Sequence, residues 1–278
     1  MSKSINPQDK TPLISELIAK RARTKILQMT HAARASHVGS ALSVVDILSV
    51  LYSGILNIEP GNAASIERDS VILSKGHSAA ALYAVLAIQD FFPESLLKTY
   101  YQDGGVLGGH VTHEGKRGVE LSTGSLGHGL PYGVGIALSH KLANRNSRTV
   151  VVISDGECNE GTTWESALFA QQFQLNSLCV IIDRNRIQSL APTEETMALE
   201  PFAAKWKAFN WEVITLNGHS HEELVAALTL GEKPLCIIAE TKKGNGVSFM
   251  ENSILWHYRP PNDQELVAAL AEIDLTDL

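Results

Sequence analysis

The sequence predicts an α/β fold: a parallel sheet with helices on both faces. Two observations carry this. Apolar, often β-branched runs at 70–73, 149–154, 178–183, 212–216 and 235–241 read as strands. Stretches with apolar residues at helical spacing separate them, so helix and strand alternate along the chain. With 278 residues, 44% of them apolar, the chain can bury one sizeable core. Residues 13–278 are therefore expected as one domain. Residues 1–12 are polar, lack a secretory core and are expected as a flexible arm.

The elements follow in order. Ile14, Ile18, Ala22, Ile26 and Met29 form a helical stripe within 13–34. A second helix is expected at 43–56, with Ser43 as its cap. Strand 70–73 and an alanine-rich helix at 79–89 come next. Residues 103–129 are rich in Gly and His without periodicity, which predicts a long functional loop. Helix 130–142, strand 149–154, helix 163–173 and strand 178–183 follow. A polar loop at 186–198 leads to helix 201–209, strand 212–216, helix 220–230, strand 235–241 and a terminal helix at 263–272.

A net charge of −7 argues against a general nucleic-acid or anionic-membrane surface. No run approaches the ~18 consecutive apolar residues of a membrane helix. The three cysteines, Cys158, Cys179 and Cys236, are scattered and odd in number. Free thiols in a reducing cytoplasm are the expectation. Cys158 has no base paired with it in a recognisable pattern, so a nucleophilic role is not expected.

Residues 154–188 are the most informative. One apolar run delivers Asp155 to a strand end, and a second delivers Asp183 and Asn185 to the end of a neighbouring strand. Asp155 and Asn185 are about 30 positions apart, one strand–helix–strand unit. Two hard oxygen ligands at adjacent strand tips, beside Gly156, suit Mg²⁺ or Ca²⁺ holding a diphosphate. Taken alone, these residues also fit an ordinary crossover with a polar turn.

The segment resembles the thiamine diphosphate signature Gly-Asp-Gly followed 25–30 residues later by Asn. The wider chain resembles the transketolase family. Ala35-Ser36-His37-Val38-Gly39-Ser40 is similar to its Gly-His-Pro-Gly segment, and Ser74-Lys75-Gly76-His77 matches Ser-Lys-Gly-His. Gly108-Gly109-His110 matches Pro-Gly-His. Ser122-Thr123-Gly124-Ser125-Leu126-Gly127-His128-Gly129 matches Thr-Thr-Gly-Pro-Leu-Gly-Gln-Gly. Trp256-His257 stands at the last active-site histidine. Ser154, Arg184, Val38, Ser125 and His128 depart from the common pattern. None removes a metal ligand or a key histidine.

The resemblance implies a thiamine diphosphate-binding fold of the diphosphate-binding type. It implies metal ligation by Asp155, Asn185 and the Ile187 carbonyl. Cofactor contacts are implied for His77, Gly124, Ser125, Leu126, Gly156, Asn185 and His257. His37 and His110 would face substrate, while His77 and His257 would bridge diphosphate and substrate. All four are candidate catalytic groups, since histidine exchanges protons near neutral pH. Glu160 would join a network across a subunit interface; it also reads as a solvated carboxylate near a helix N-terminus. Glu157 is unfavourable beside a phosphate unless it points away. The roles of His128 and His113 stay open. A zinc reading of His110 and His113 lacks a third ligand at familiar spacing.

The family's pyrimidine-binding domain, with its activating glutamate, would follow the segments matched here, and the chain ends about 20 residues past His257. The implied protein is the N-terminal subunit of a split transketolase. It would use thiamine diphosphate with Mg²⁺ or Ca²⁺ and move a two-carbon ketol unit between sugars such as sugar phosphates. Its partner would be a separate pyrimidine-domain subunit, in a two-plus-two heterotetramer. The alternatives are the α subunit of a 2-oxo acid dehydrogenase, a deoxyxylulose phosphate synthase relative and a non-catalytic cofactor-binding scaffold.

Overall fold

The computed structural model describes residues 7–228 and 231–275. Five strands, β1 (Ser70–Leu73), β2 (Thr149–Ser154), β3 (Leu178–Arg184), β4 (Glu212–Asn217) and β5 (Leu235–Glu240), form one sheet in the order β1-β2-β3-β5-β4. Every pairing is parallel. Consecutive strands are therefore joined by crossovers, and all the strand C-termini lie on one edge.

The register sorts the side chains into two cores. Leu73, Val152, Ile181 and Ile237 form one row across the sheet. This row packs on helices α1 (Pro7–Ala32), α2 (Val38–Val50) and α3 (Ala79–Ile88). The adjacent row, Ile72, Val151, Val180 and Cys236, faces the other way. It meets α4 (Gly129–Leu142), α5 (Gly161–Gln172) and, after the short α6 (Thr193–Thr196), α7 (Phe202–Ala208). Both faces are covered, so the inner strands are apolar throughout and do not alternate. Burying each Val, Ile or Leu here contributes about 1.5–3 kcal/mol of transfer free energy. β4 is an edge strand and is half exposed.

The remaining helices are α8 (His221–Ala227), α9 (Leu255–Tyr258) and α10 (Asp263–Leu275). Residues 229–230, at the end of the expected helix 220–230, lie outside the described residues.

Three expectations need correction. Helix α1 begins by Pro7, so residues 7–12 are helical and not part of an arm; residues 1–6 lie outside the described residues. In its stripe Ile18, Ala22, Ile26 and Met29 are buried, but Ile14 is 45% exposed. Helix α2 starts at Val38, five residues before Ser43, and continues through a π-helical turn at Leu51–Ile55. Ser43 is internal; its hydroxyl contacts the Ser40 carbonyl (3.0 Å) and donates to Asp183 Oδ2 (2.6 Å). By composition and length Val38–Ile55 passes for a membrane span, but 83% of it is buried within the fold.

Candidate active site

The shared C-terminal edge of the sheet is where ligands bind in open parallel sheets. β1 leads to Lys75 and His77, β2 to Asp155, β3 to Asn185 and Ile187, and β5 to Lys243. Apart from Lys75, these residues, with His37, His110, Gly124, Leu126, Gly156 and His257, line a cavity of about 230 Å³.

Four histidines converge at its mouth. The His37 ring centroid lies 5.3 Å from His77, 5.5 Å from His110 and 4.9 Å from His257. His37 precedes α2 in the left-handed conformation, with φ of 73° and ψ of 13°. Its backbone N–H donates to the His257 carbonyl at 2.9 Å, tying two histidine-bearing segments far apart in sequence. Burial, followed by His110, Lys243 and Lys75, holds the His37 pKa down at about 4. Burial, then Lys243 and His37, lowers His257 to about 3. Burial and Lys75 push His77 well below its usual value. At neutral pH these three imidazoles are uncharged.

The Lys243 ammonium lies 3.0 Å from His257 Nδ1 and donates to it. His257 therefore carries its proton on Nε2 and presents a neutral N–H donor. Burial, then the nearby Lys75 charge, brings Lys243 down to about 8.

The expected metal donors lie close together. Asp155 is 1% exposed. Its Oδ2 accepts the Arg186 N–H (2.8 Å), Arg184 Nη1 (3.1 Å) and Thr193 Oγ1 (3.2 Å). Among the described residues its Oδ1 accepts only the Gly156 N–H, at 2.8 Å. Asn185 Oδ1 accepts the Ile187 N–H at 3.1 Å, which fixes the amide orientation. The Lys243 ammonium donates to the Ile187 carbonyl at 3.1 Å. A cation thus already rests on one expected metal donor. A carboxylate, an amide oxygen and a backbone carbonyl at one locus form a hard-oxygen set that fits Mg²⁺ or Ca²⁺. Among the described residues, no cluster of three His, Cys, Asp or Glu forms a metal site. His113 Nδ1 instead contacts the Val119 carbonyl, which gives the zinc reading no support.

The glycine-rich loop fits the same cradle. Gly76 must be glycine: a Cβ there would lie 2.3 Å from the Thr123 carbonyl oxygen, where loop 122–126 crosses the β1 tip. The crossing brings Gly124 and Leu126 to the cavity wall. Ser125 is exposed and outside that wall, as is His128, whose Nδ1 contacts the Ser125 and Leu126 carbonyls. Glu157 turns inward from the cradle. It bonds the Ser74 hydroxyl and accepts the Gly127 N–H at 2.8 Å, so it braces the loop. Glu160 is exposed at the start of α5. Cys158 is buried, and burial raises its thiol pKa well above the ordinary value.

Sequence reasoning missed the two lysines. Lys75 and Asp183 form a fully buried ion pair. It orients the Lys75-Gly76-His77 turn and also holds Ser43 and Thr241. Lys243 sits on a loop anchored from behind, where a larger cavity of about 420 Å³ is lined by Arg23, Asp46, His219 and His221. These side chains bind one another. Arg23 Nη2 (2.5 Å) and His219 Nδ1 (2.6 Å) bind Asp46 Oδ2, and His221 Nε2 binds Oδ1 (3.1 Å). Burial alone would raise the Asp46 carboxyl, but Arg23 and the two imidazoles hold it far below the usual range. His219 Nε2 accepts the Lys242 N–H at 2.8 Å, and Arg23 Nε donates to the Asn245 carbonyl. This is a clasp for the Lys243 loop. Only the pairing of a Lys-rich turn with distant histidines marks it, and spacing does not show that.

A hard-oxygen locus, a cationic cradle and a histidine cluster at the strand tips match the diphosphate half of a thiamine diphosphate-dependent enzyme. The family described as "Transketolase, thiamine diphosphate binding domain" matches residues 14–273. The chain belongs to the transketolase family, as an N-terminal subunit of the split type. It is 36% identical to a subunit of the apulose-4-phosphate transketolase of Phocaeicola vulgatus, over 93% of each chain. It is 38% identical to the 6-deoxy-6-sulfo-D-fructose transketolase subunit SqwG of a Clostridium species, over 86% of this chain and 88% of that one. Transketolase from Campylobacter jejuni superposes with a TM-score of 0.87 at 28% identity, over 94% of this chain. The chain spans 43% of that longer protein.

Proposed function

We propose that this chain supplies the diphosphate-binding half of a two-subunit transketolase, which moves a two-carbon ketol unit from a ketose to an aldose. One observation carries the reading: four histidines converge over a hard-oxygen metal locus at the sheet edge. When bound, thiamine diphosphate supplies the electron sink for cleaving the carbon–carbon bond. Asp155, Asn185 and the Ile187 carbonyl hold a divalent ion, Mg²⁺ in this reading. Lys243 and the Gly156 backbone face the diphosphate charge, and Gly124 and Leu126 wall the cofactor.

His257 holds a donor proton on Nε2. His37 and His77 are neutral, so either can take a proton from a sugar hydroxyl. His110, exposed at the mouth, meets the sugar first. Relatives named for apulose-4-phosphate and for 6-deoxy-6-sulfo-D-fructose support a substrate with an anionic group at its far end. The residues gripping that group, and the carboxylate that activates the cofactor ring, belong to a pyrimidine-domain partner. The exposed Glu160 faces that assembly, which we infer to be a cytoplasmic two-plus-two heterotetramer with one diphosphate-binding domain per chain of this type. No observation here favours the 2-oxo acid dehydrogenase or scaffold readings.

The test is a two-carbon transfer assay with ketose phosphate donors and an aldose phosphate acceptor. This chain by itself should be inactive and should gain activity with its pyrimidine-domain partner. Full activity from this chain without the partner would overturn the reading.

A further inference from the structure

Arg184 occupies the last position of β3. Successive strand residues point to opposite faces. Asp183 turns to the α2 side and pairs with Lys75, while Arg184 turns to the α7 side, where its side chain is fully buried. There Nη1 donates to Asp155 Oδ2 at 3.1 Å, and Nη2 donates to Glu194 (2.6 Å) and Glu200 (3.1 Å). Phe202 packs under the guanidinium at 5.3 Å. Glu194 in turn accepts the backbone N–H groups of Leu199 and Glu200, and Glu200 accepts that of Phe202.

A buried arginine is costly unless it is paired. Here three carboxylates neutralise it, and it bridges them from one rigid fork, which a lysine cannot reproduce. Only one of these partners, Asp155, belongs to the cavity. Its Oδ2 accepts three donors, while Oδ1 accepts one. The arginine, with the Arg186 N–H and the Thr193 hydroxyl, thus fixes which carboxylate oxygen is engaged.

We propose that Arg184 is a positioning residue for the metal: it pins Asp155 through Oδ2, leaves Oδ1 for the ion, and couples that ligand to the order of segment 193–201. This rests on the reading of Asp155 as a metal ligand and extends it to a residue that touches neither metal nor cofactor. Segment 193–201 then becomes part of the metal site's support, although it lies behind the strand tip.

The experiment uses the whole chain, with Mn²⁺ and thiamine diphosphate as probes. Mn²⁺ affinity is read by electron paramagnetic resonance, and amide exchange of 193–201 is read without metal. Losing a partner that orients a ligand typically costs about 10–100-fold in metal affinity. Arg184→Met should show that loss together with faster exchange at Leu199 and Glu200. Arg184→Lys should recover only part of the affinity. Folded Arg184→Met with Mn²⁺ affinity within about twofold of wild type, beside an Asp155→Ala that has lost Mn²⁺, would overturn the proposal and leave the metal reading intact. Wild-type Mn²⁺ affinity in Asp155→Ala would overturn the metal reading itself. Should Arg184→Met not fold, Glu194→Gln decides, because Glu194 is partly exposed. Weaker Mn²⁺ binding by that variant supports the coupling, and unchanged binding overturns it.

Discussion

Replacing His37 with Asn should flatten the pH dependence of the chain's stability. Asparagine is chosen because the site is left-handed, with φ of 73°, and Asn tolerates that conformation. In the folded chain the His37 pKa is about 4, against an ordinary 6.5, mainly through burial. Between those values the unfolded chain binds the extra proton. Stability from the neutral imidazole is therefore complete above pH 6.5 and is lost as the pH falls toward 4. Going from pH 7 to pH 5, one such site loses about 2 kcal/mol by linkage. Its partial exposure reduces that to about 1 kcal/mol. His77 and His257 titrate in the same sense, so the wild type loses more than this in total. The assay is urea unfolding of the cofactor-free chain at both pH values and constant ionic strength. His37→Asn should lose about 1 kcal/mol less than wild type, with unchanged m-values. An identical loss in both proteins would refute the idea that the packed cluster keeps His37 neutral.

His110→Ala should lower turnover of the assembled enzyme by about 10²–10⁴-fold while leaving cofactor affinity nearly unchanged; a lost cofactor with normal turnover at saturation contradicts its substrate-facing place. Lys243→Met should weaken thiamine diphosphate binding by about 10–100-fold, as expected for one charge-assisted contact of about 1.5–3 kcal/mol. In calorimetry, unphosphorylated thiamine should show no such change, and equal weakening of both would place Lys243 away from the diphosphate. Gly76→Ala puts a methyl 2.3 Å from the Thr123 carbonyl and should cost about 1–3 kcal/mol of stability with loss of cofactor binding. An unaffected melting curve would show that loop 122–126 can move aside.

The strands were legible because burial on both faces leaves only apolar runs, as in 149–153 and 178–182. The places of Asp155 and Asn185 were legible because a strand tip is a fixed place in this topology. The start of α2 was not. Val38, Gly39 and Ser40 are poor helix formers, yet every residue from Val38 to Val50 is buried, and packing overrides propensity. Residues 7–12 were likewise read as arm from their polarity, although the helix runs through Pro12 from Pro7. The buried pairs Lys75–Asp183 and Arg184–Asp155 and the Asp46 clasp join distant segments, which no local pattern records. Glu157 was read by proximity to the phosphate motif, but its direction depends on Ser74 and Gly127 across the fold.

The strand order also sets a timetable for folding. β2 and β3 align Thr149 with Leu178, whereas β1 and β2 align Ser70 with Thr149. Closing the longer loop costs about 1 kcal/mol more chain entropy. Parallel pairings between such distant segments are slow to form. The shorter closure predicts that the Asp155 and Asn185 tips assemble first, on the β2–β3 unit, before β1 docks and brings His77. The His37–His257 meeting needs both ends of the chain in place. In that order a nascent chain would bring the expected metal donors near one another before the histidines surround them. Full cofactor affinity then reports completed folding, and adding cofactor during refolding should raise the yield of native chain without speeding its earliest phase.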